Sequence, residues 1–358
     1  MSWRKLTRAD LLEELARGQV VVNADLSGVD LSGADLSGGA FENVVMARAN
    51  LAGADLSNTT MADVICTSAN FSGANLSQAS LPDIWFKNCD FRGAGLQDAY
   101  LSRSMLGNSN LDNADLSLAD LSQAHISEAN LRGARLFKAN LIEADLTDSD
   151  LTGADLSEAD LSGCDLSGQF FQQVNMTKTL FQYAHLEGLI LKDCNCCMAQ
   201  FAGASLAQAQ FQHCDLRQIG FSDANMDGAA LEECSAWAAR FVGTKAKKLL
   251  APNTDLEFAL FLDADLEQAS LTGSKLAKTQ FMKANLAGAN LSKVDLAYAD
   301  LSHANLKNTD LSGANLTRAK MHRAKDFDSA RTGGAKLSKA IWTDEAMAEA
   351  EDFSHAAV

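Results

Sequence analysis

Apolar residues recur at every fifth position, with no change of phase, from Leu26 to Met321, and this period excludes most folds. Of the sixty positions in that class, fifty-five are Leu, Phe, Met or Ile; the exceptions are Cys66, Cys196, Ala236, Ala246 and Ala251. Two residues before each of them the position is small (Ala, Ser, Thr, Cys, Val or Gly) in fifty-five of sixty cases, the exceptions being Ile84, Gln169, Leu189, Ile219 and Leu249. An α-helix turns once in about 3.6 residues, so a strict period of five would smear the apolar positions around its axis. Short extended segments joined by corners can hold the period.

Facing follows from strand alternation. Residues two apart point to the same side of an extended backbone, so the small and the large residue both face inward and the residue between them faces solvent. That middle residue is Asp or Asn in thirty-one of the sixty repeats. Neither is a good strand former, but both hydrogen-bond neighbouring backbone groups at a turn. The other two residues make the corner, and seventeen of the 24 glycines stand at the second of them.

Ala34-Asp-Leu-Ser-Gly38, Ala54-Asp-Leu-Ser-Asn58, Ala154-Asp-Leu-Ser-Glu158 and Ala314-Asn-Leu-Thr-Arg318 resemble the repeat of the pentapeptide-repeat family, over about 300 of the 358 residues. The resemblance implies that four repeats close one square coil of twenty residues, wound right-handed. Phe181, Phe201, Phe221, Phe241, Phe261 and Phe281 support the same coil independently, because they recur at intervals of twenty and would stack along one wall. The expected fold is an all-β solenoid, a right-handed quadrilateral parallel β-helix of about 15 coils with short helical caps. At ~4.8 Å between neighbouring strands such a coil stack is about 70 Å long.

Three segments are expected. Residues 1–19 form an N-terminal cap, because Thr7 with Asp10 suits a helix N-cap, Leu11, Leu12 and Leu15 form an apolar stripe and Gly18 suits the stop. Residues 20–327 form the β-helix, with 242–255, which carries Lys245, Lys247, Lys248 and Pro252, either a projecting loop or an atypical coil. The coil is favoured, since excising ten residues would rotate everything downstream by two walls. Residues 328–358 form a C-terminal cap or dimerisation tail: the period fails after Met321, and Thr343 to Phe353 suit a short helix. In relatives a C-terminal element mediates dimers, which leaves a homodimer open.

Composition narrows the function classes. The net charge of −16, from 46 acids against 30 bases, argues against direct nucleic-acid binding, which needs clustered Lys and Arg. Met1 to Asp10 lacks the apolar stretch of a signal peptide, and no run of about 18 apolar residues is present, so a cytoplasmic protein with no membrane association is expected. Seven of the eight cysteines occupy inward positions, and Cys194, Cys214 and Cys234 are spaced by twenty, which fits reduced core packing better than zinc or a disulfide. The six histidines are expected not to cluster; His125 and His185 share a column but lie three coils apart. Neither a metal site nor a cofactor site is expected. No His-Glu-x-x-His, Gly-x-Ser-x-Gly or phosphate-binding loop occurs, and an enzyme is not expected.

What remains is the outer surface. One outward column runs Asp25, Val45, Ile65, Trp85, Met105, His125, so Val45, Ile65, Trp85 and Met105 would form an apolar strip ~14 Å long, suited to a protein partner. Phe170, Leu180 and Ile190 form a second, more irregular group. Between Ile142 and Gly168 there are eight acids and no base, and Asp145, Asp150, Asp155, Asp160 and Asp165 form an acidic belt around all four walls. Two readings survive. One is a protein-interaction scaffold or adaptor; the opening helix followed by Ala24-Asp-Leu-Ser-Gly28 resembles the family branch associated with bacterial type VI secretion. The other is a DNA mimic that modulates a type II topoisomerase, as the quinolone-protection branch implies. The strip serves the first reading and the belt the second, and a belt spread over four walls is a poorer mimic than a stripe.

Overall fold

A computed structural model describes residues 3–356, in two compact units, Met1–Phe181 and Gln182–Val358. In both units backbone pairing is parallel and, up to the last coil, joins residues twenty apart. In the first unit β1 (Arg4–Lys5), β2 (Val21–Asp25), β3 (Ala40–Val45) and β4 (Thr60–Ala62) pair in that order, with Phe41 opposite Met61. Beyond them the ladder reduces to single bridges at the middle residue of each repeat, such as Asp30 to Asn50, Asn50 to Asn70 and Asp120 to Asn140. β5 (Phe170–Gln172) closes this unit's strands, and in the second unit β6 (Ile190–Lys192), β7 (Gln210–Gln212) and β8 (Ala230–Glu232) pair in register.

The five-residue cycle is visible bond by bond. Leu31 N–H donates to the Asn50 carbonyl at 2.7 Å, which ties one coil to the next, and Ala34 N–H donates to the Leu31 carbonyl at 3.0 Å, which closes the corner between them. The second corner residue is left-handed at repeat after repeat, with φ of 68° at Gly28, 59° at Gly33 and 57° at Asn58. Glycine adopts that conformation without steric cost, and this accounts for its concentration there. The middle Asp or Asn secures the other corner residue: Asp30 Oδ1 accepts Ser32 N–H at 3.0 Å and also Asn50 Nδ2 at 2.9 Å from the next coil.

The interior is stacked. Phe71 lies parallel to Phe91 at 4.8 Å, with Phe86 edge-on to both, in the first unit. In the second, Phe201, Phe221, Phe241, Phe261 and Phe281 form a continuous stack with centroids 5.4, 5.2, 4.5 and 4.8 Å apart. Burying each such side chain contributes roughly 2 kcal/mol. Ser, Thr and Cys enter the small position because each can donate to a backbone carbonyl: Thr244 Oγ1 to Phe221 at 2.7 Å, Ser109 Oγ to Phe86 at 2.7 Å, Cys164 Sγ to Leu141 at 3.1 Å. Seven cysteines are buried, Cys197 is half-buried, and all eight are free thiols.

Residues 242–255 form an ordinary coil and not a loop. Lys245 pairs with Asn225, Leu250 with Ala230 and Asp255 with Ser235. At the N-terminus, α1 (Arg8–Ala16) carries the expected capping box. Asp10 N–H donates to Thr7 Oγ1 at 3.3 Å, and Thr7 N–H donates to the Asp10 carboxylate at 2.9 Å. Leu11 is fully buried, and Arg8 donates to the Ser32 carbonyl at 2.9 Å, which anchors the helix on the first coils.

At the other end the coil continues past the point where the period fails. Asp310 pairs with Arg331, Asn315 with Lys336 and Lys320 with Ile341, so the register lengthens from twenty to twenty-one. The extra residue is taken up by a short 3-10 turn at Phe327–Ser329, entered through a left-handed Asp326 with φ 54°. The phase of the period breaks after Met321 because of this inserted residue; on the last coil Leu337 and Trp342 stand at the large position and are exposed, as is Ile341, which stands opposite Lys320 in an outward column. Helix α2 (Glu345–Ala356) follows.

Candidate functional site

The outward column of the first unit is assembled as the period requires. Val45 pairs with Ile65, Ile65 with Trp85, Trp85 with Met105, and Met105 with His125. Because inward neighbours at 44, 46, 64 and 66 are buried, the intervening side chain has only solvent to face. Trp85 is 53% exposed and Ile65 38%, while Val45 and Met105 are half-buried. The corner beside the strip is polar: Arg103 makes a two-point ion pair with Asp83, at 2.8 and 2.7 Å, and Gln123 donates to Glu143 at 2.9 Å. An apolar strip with a polar border of this kind is the composition of an interface centre with its rim.

The belt aspartates are each engaged by their own corner. Asp145 accepts Thr147 N–H, Asp150 accepts Thr152 N–H, Asp155 and Asp160 each accept a serine N–H and hydroxyl two residues on, and Asp165 accepts Ser167 N–H. Asp155 further accepts Asn175 Nδ2 at 2.8 Å, and Asp150 holds Arg132 at 2.9 Å. Burial pulls the Asp150 carboxyl up, but Thr152 and the Arg132 guanidinium outweigh it and hold it below the usual range. One oxygen of each belt aspartate is thus a turn acceptor, repeated from coil to coil. Phe170 is exposed and Ile190 half-buried, and they lie on different units.

The histidines depart from expectation. His303 and His322 lie side by side with ring centroids 5.5 Å apart, and both face Glu351 of α2. Columns at intervals of twenty conceal this pair, because one ring stands on the second corner residue and the other on the first corner residue of the next coil. The signal that finds them is a separation of nineteen combined with an acid on a tail that folds back, and only the second part needs the structure. Among the described residues no helix is long and apolar enough to cross a membrane.

A family model described as pentapeptide repeats matches in eight copies, over residues 24–63, 69–106, 99–136, 129–168, 253–288 and 284–323, and one described as a pentapeptide repeat region matches 169–241. Together they cover well over half of the chain. No curated protein matches. Among solved structures, trypsin-treated QnrB1, a plasmid-mediated fluoroquinolone resistance protein, is 19% identical, with 66% of this chain and 96% of that one covered and a TM-score of 0.22. HetL from the cyanobacterium Nostoc sp. strain PCC 7120, a pentapeptide repeat protein involved in heterocyst differentiation regulation, is 22% identical, with 94% of each chain covered and a TM-score of 0.15. A pentapeptide repeat protein of the Arabidopsis thaliana thylakoid lumen is 30% identical over 38% of this chain and 70% of its own, with a TM-score of 0.13. Likeness at this level carries no functional inference.

Proposed function

The chain belongs to the pentapeptide-repeat family, and on that premise we propose that it is a non-enzymatic, cytoplasmic scaffold or adaptor that binds a protein partner through Val45, Ile65, Trp85 and Met105. The observation that carries this reading is the paired, half-exposed apolar column centred on Trp85, on a coil whose outward position is otherwise dominated by Asp and Asn. Desolvating an indole and its aliphatic neighbours is favourable and needs no buried polar group to be matched. The acidic surface disfavours nucleic acid as partner and leaves the partner's rim free to be basic. Accessory service to a secretion system rests on the N-terminal resemblance alone. The DNA-mimic alternative has the net charge of −16 in its favour, but its belt is committed to corners on four walls.

The test is recovery of partner from the native host by the parent chain, by Ile65→Ser combined with Trp85→Ser, and by Asp150, Asp155 and Asp160 changed to Asn. Both strip residues point outward, so that double variant keeps its fold. Buried aromatic anchors carry ~2 kcal/mol or more, so affinity falls at least about tenfold, the equivalent of ~1.4 kcal/mol. Loss of binding in the belt variant with an unaffected strip variant reverses the two readings.

A further inference from the structure

We propose that His303, His322 and Glu351 form a divalent transition-metal site, with zinc as the ion their donor chemistry favours, that fastens helix α2 to the outer face of the last coils. His303 and His322 are brought together by the coil itself: His303 N–H donates to the His322 carbonyl at 2.9 Å across neighbouring coils, and the rings meet at 78°. Glu351 arrives from α2. His303 Nε2 is 3.5 Å from Glu351 Oε2, and His322 Nε2 is 3.4 Å from Glu351 Oε1. One ligand atom from each residue lies within 4.8 Å of the other two.

Those separations fit a cation. Four ligands at the usual ~2.0–2.1 Å around tetrahedral zinc stand about 3.4 Å from one another. Two of the three pairs are already at that spacing, and only the approach of the two rings has to tighten. Two imidazoles with one carboxylate, and a fourth position left to water, is a donor set that suits zinc and its first-row neighbours better than magnesium or calcium. A cavity of about 340 Å³ borders the three residues and gives that water room; Asp300 and Asp344 line it, Asp300 being paired there with Lys320 at 3.3 Å, so Asp344 is the lining carboxylate that adds negative charge. His322 is buried, at 7% exposure, and His303 is half-buried, so the donors are held rather than waving in solvent.

Two neighbours must accommodate the ion. Arg323 Nε is 3.4 Å from Glu351, but its Nη2 is engaged by Asp352 at 2.7 Å and by the Ala348 carbonyl at 2.6 Å. The guanidinium therefore already has a counter-charge, and it orients the Glu351 carboxylate as an outer partner does around many metal ligands. Asp344 N–H approaches His322 Nδ1 at 3.4 Å, a long hydrogen bond. Coordination through Nε2 places the ring proton on Nδ1, so that contact is given up. The consequence is mechanical: the tail helix, joined to the coils in this region by the side chains of 303, 322 and 323, becomes fixed when metal is present.

The experiment uses the full chain without an affinity tag, carrying Cys197→Ser so that the one half-buried thiol does not compete. Zinc is titrated by calorimetry at neutral pH, and amide hydrogen exchange over 345–352 is followed with and without zinc, with magnesium as the control ion. One site per chain is expected, with exchange in α2 slowed about tenfold, and neither effect with magnesium. His303→Asn retains a residue type that tolerates the left-handed backbone at φ 61°, and Glu351→Gln keeps the shape of the side chain. Each should weaken zinc binding by about tenfold or more and abolish the protection. Absence of a stoichiometric site, undiminished binding in both variants, or binding without protection of α2 would each overturn the proposal.

Discussion

Removing one ring from the middle of the phenylalanine stack tests how the second unit is held together. Phe261 is fully buried between Phe241, 4.5 Å away and 6° from parallel, and Phe281, 4.8 Å away and 5° from parallel. Phe→Ala in a core costs about 3–5 kcal/mol, and the upper part of that range applies where walls cannot collapse into the space. Here they cannot. The coil is tied above and below by backbone bonds such as Phe261 N–H to the Gln280 carbonyl at 2.7 Å and Phe241 N–H to the Leu260 carbonyl at 2.7 Å. The Phe→Ala range already includes lost ring contacts, and because two stacked pairs go, each worth ~0.5–1.5 kcal/mol, its top, about 5 kcal/mol, is expected locally. In a solenoid that loss falls on the coil and its nearest neighbours. Native-state hydrogen exchange reads it: amides around 261–285 should lose at least about a thousandfold protection, the equivalent of ~4 kcal/mol. The control is Phe258→Ala, an exposed ring 4.7 Å from Lys278 Nζ and 5.7 Å from Trp237, for which about 1 kcal/mol is expected. A loss at Phe261 no larger than at Phe258 would refute the reasoning.

Thiol reactivity and acid stability follow from the same geometry. Burial pushes the Cys89 and Cys164 thiols up to about 12 and that of Cys66 well above its ordinary value, while a hydrogen bond with Cys214, together with burial, raises Cys196. In native protein at mildly alkaline pH a disulfide reagent should therefore titrate Cys197 alone, and all eight thiols after unfolding; fast labelling of Cys194, Cys214 and Cys234 would show that the facing is wrong. Asp10, Asp25, Asp30 and Asp35 are held below the ordinary carboxylate value of 3.8, first by hydrogen bonds from the side chains of Thr7, Ser27, Ser32 and Ser37 and then by the backbone there. The folded chain thus binds fewer protons than the unfolded one. The stabilisation is complete above 3.8 and is lost as pH falls below it towards the folded values, so the melting temperature should drop in that window and not above it. A melting temperature indifferent to acid would mean that these turn bonds contribute nothing.

How much of this was legible in the sequence depends on whether a residue faces the core. A period of five with a small residue two places before each large one leaves one solution for facing, and from Leu26 to Met321 every large position is buried and every small position but the half-buried Val29 and Gln169. Even the irregular stretch 242–255 was decided by the phenylalanine column: had it looped out, Phe261 would have left the wall on which it stacks against Phe241. The terminal coil was not legible. Ala335 with Leu337 and Ala340 with Trp342 keep the spacing, but the single residue inserted around the turn at Phe327–Ser329 moves them out of phase with the sixty repeats before them, and a pattern of two repeats is too short to stand alone.

Surface residues obey no such rule, and each kind of surface signal has to be weighed against what the coil itself demands. Aspartate is demanded. A middle-position carboxylate caps its own corner, as Asp30 does for Ser32, and takes a donor from the next coil, as it does from Asn50. The abundance of Asp therefore follows from the fold and carries little information about a partner. An indole is not demanded. At position 85 it has no acceptor atom with which to cap a corner, and its half-exposed area works against the solubility that Asp at the same place would give. Four apolar residues in consecutive coils add up to a cost that folding does not require. The left-handed corner that His303 occupies accepts many residue types, among them Gly, Asn, Asp, Lys, Tyr183 and His213, so a single histidine there says little; what the coil does not call for is the meeting of two imidazoles with the Glu351 carboxylate. Departures from the repeat that the repeat cannot use are where function is to be sought in this chain, and the strip and the histidine pair are two places where such departures touch one another.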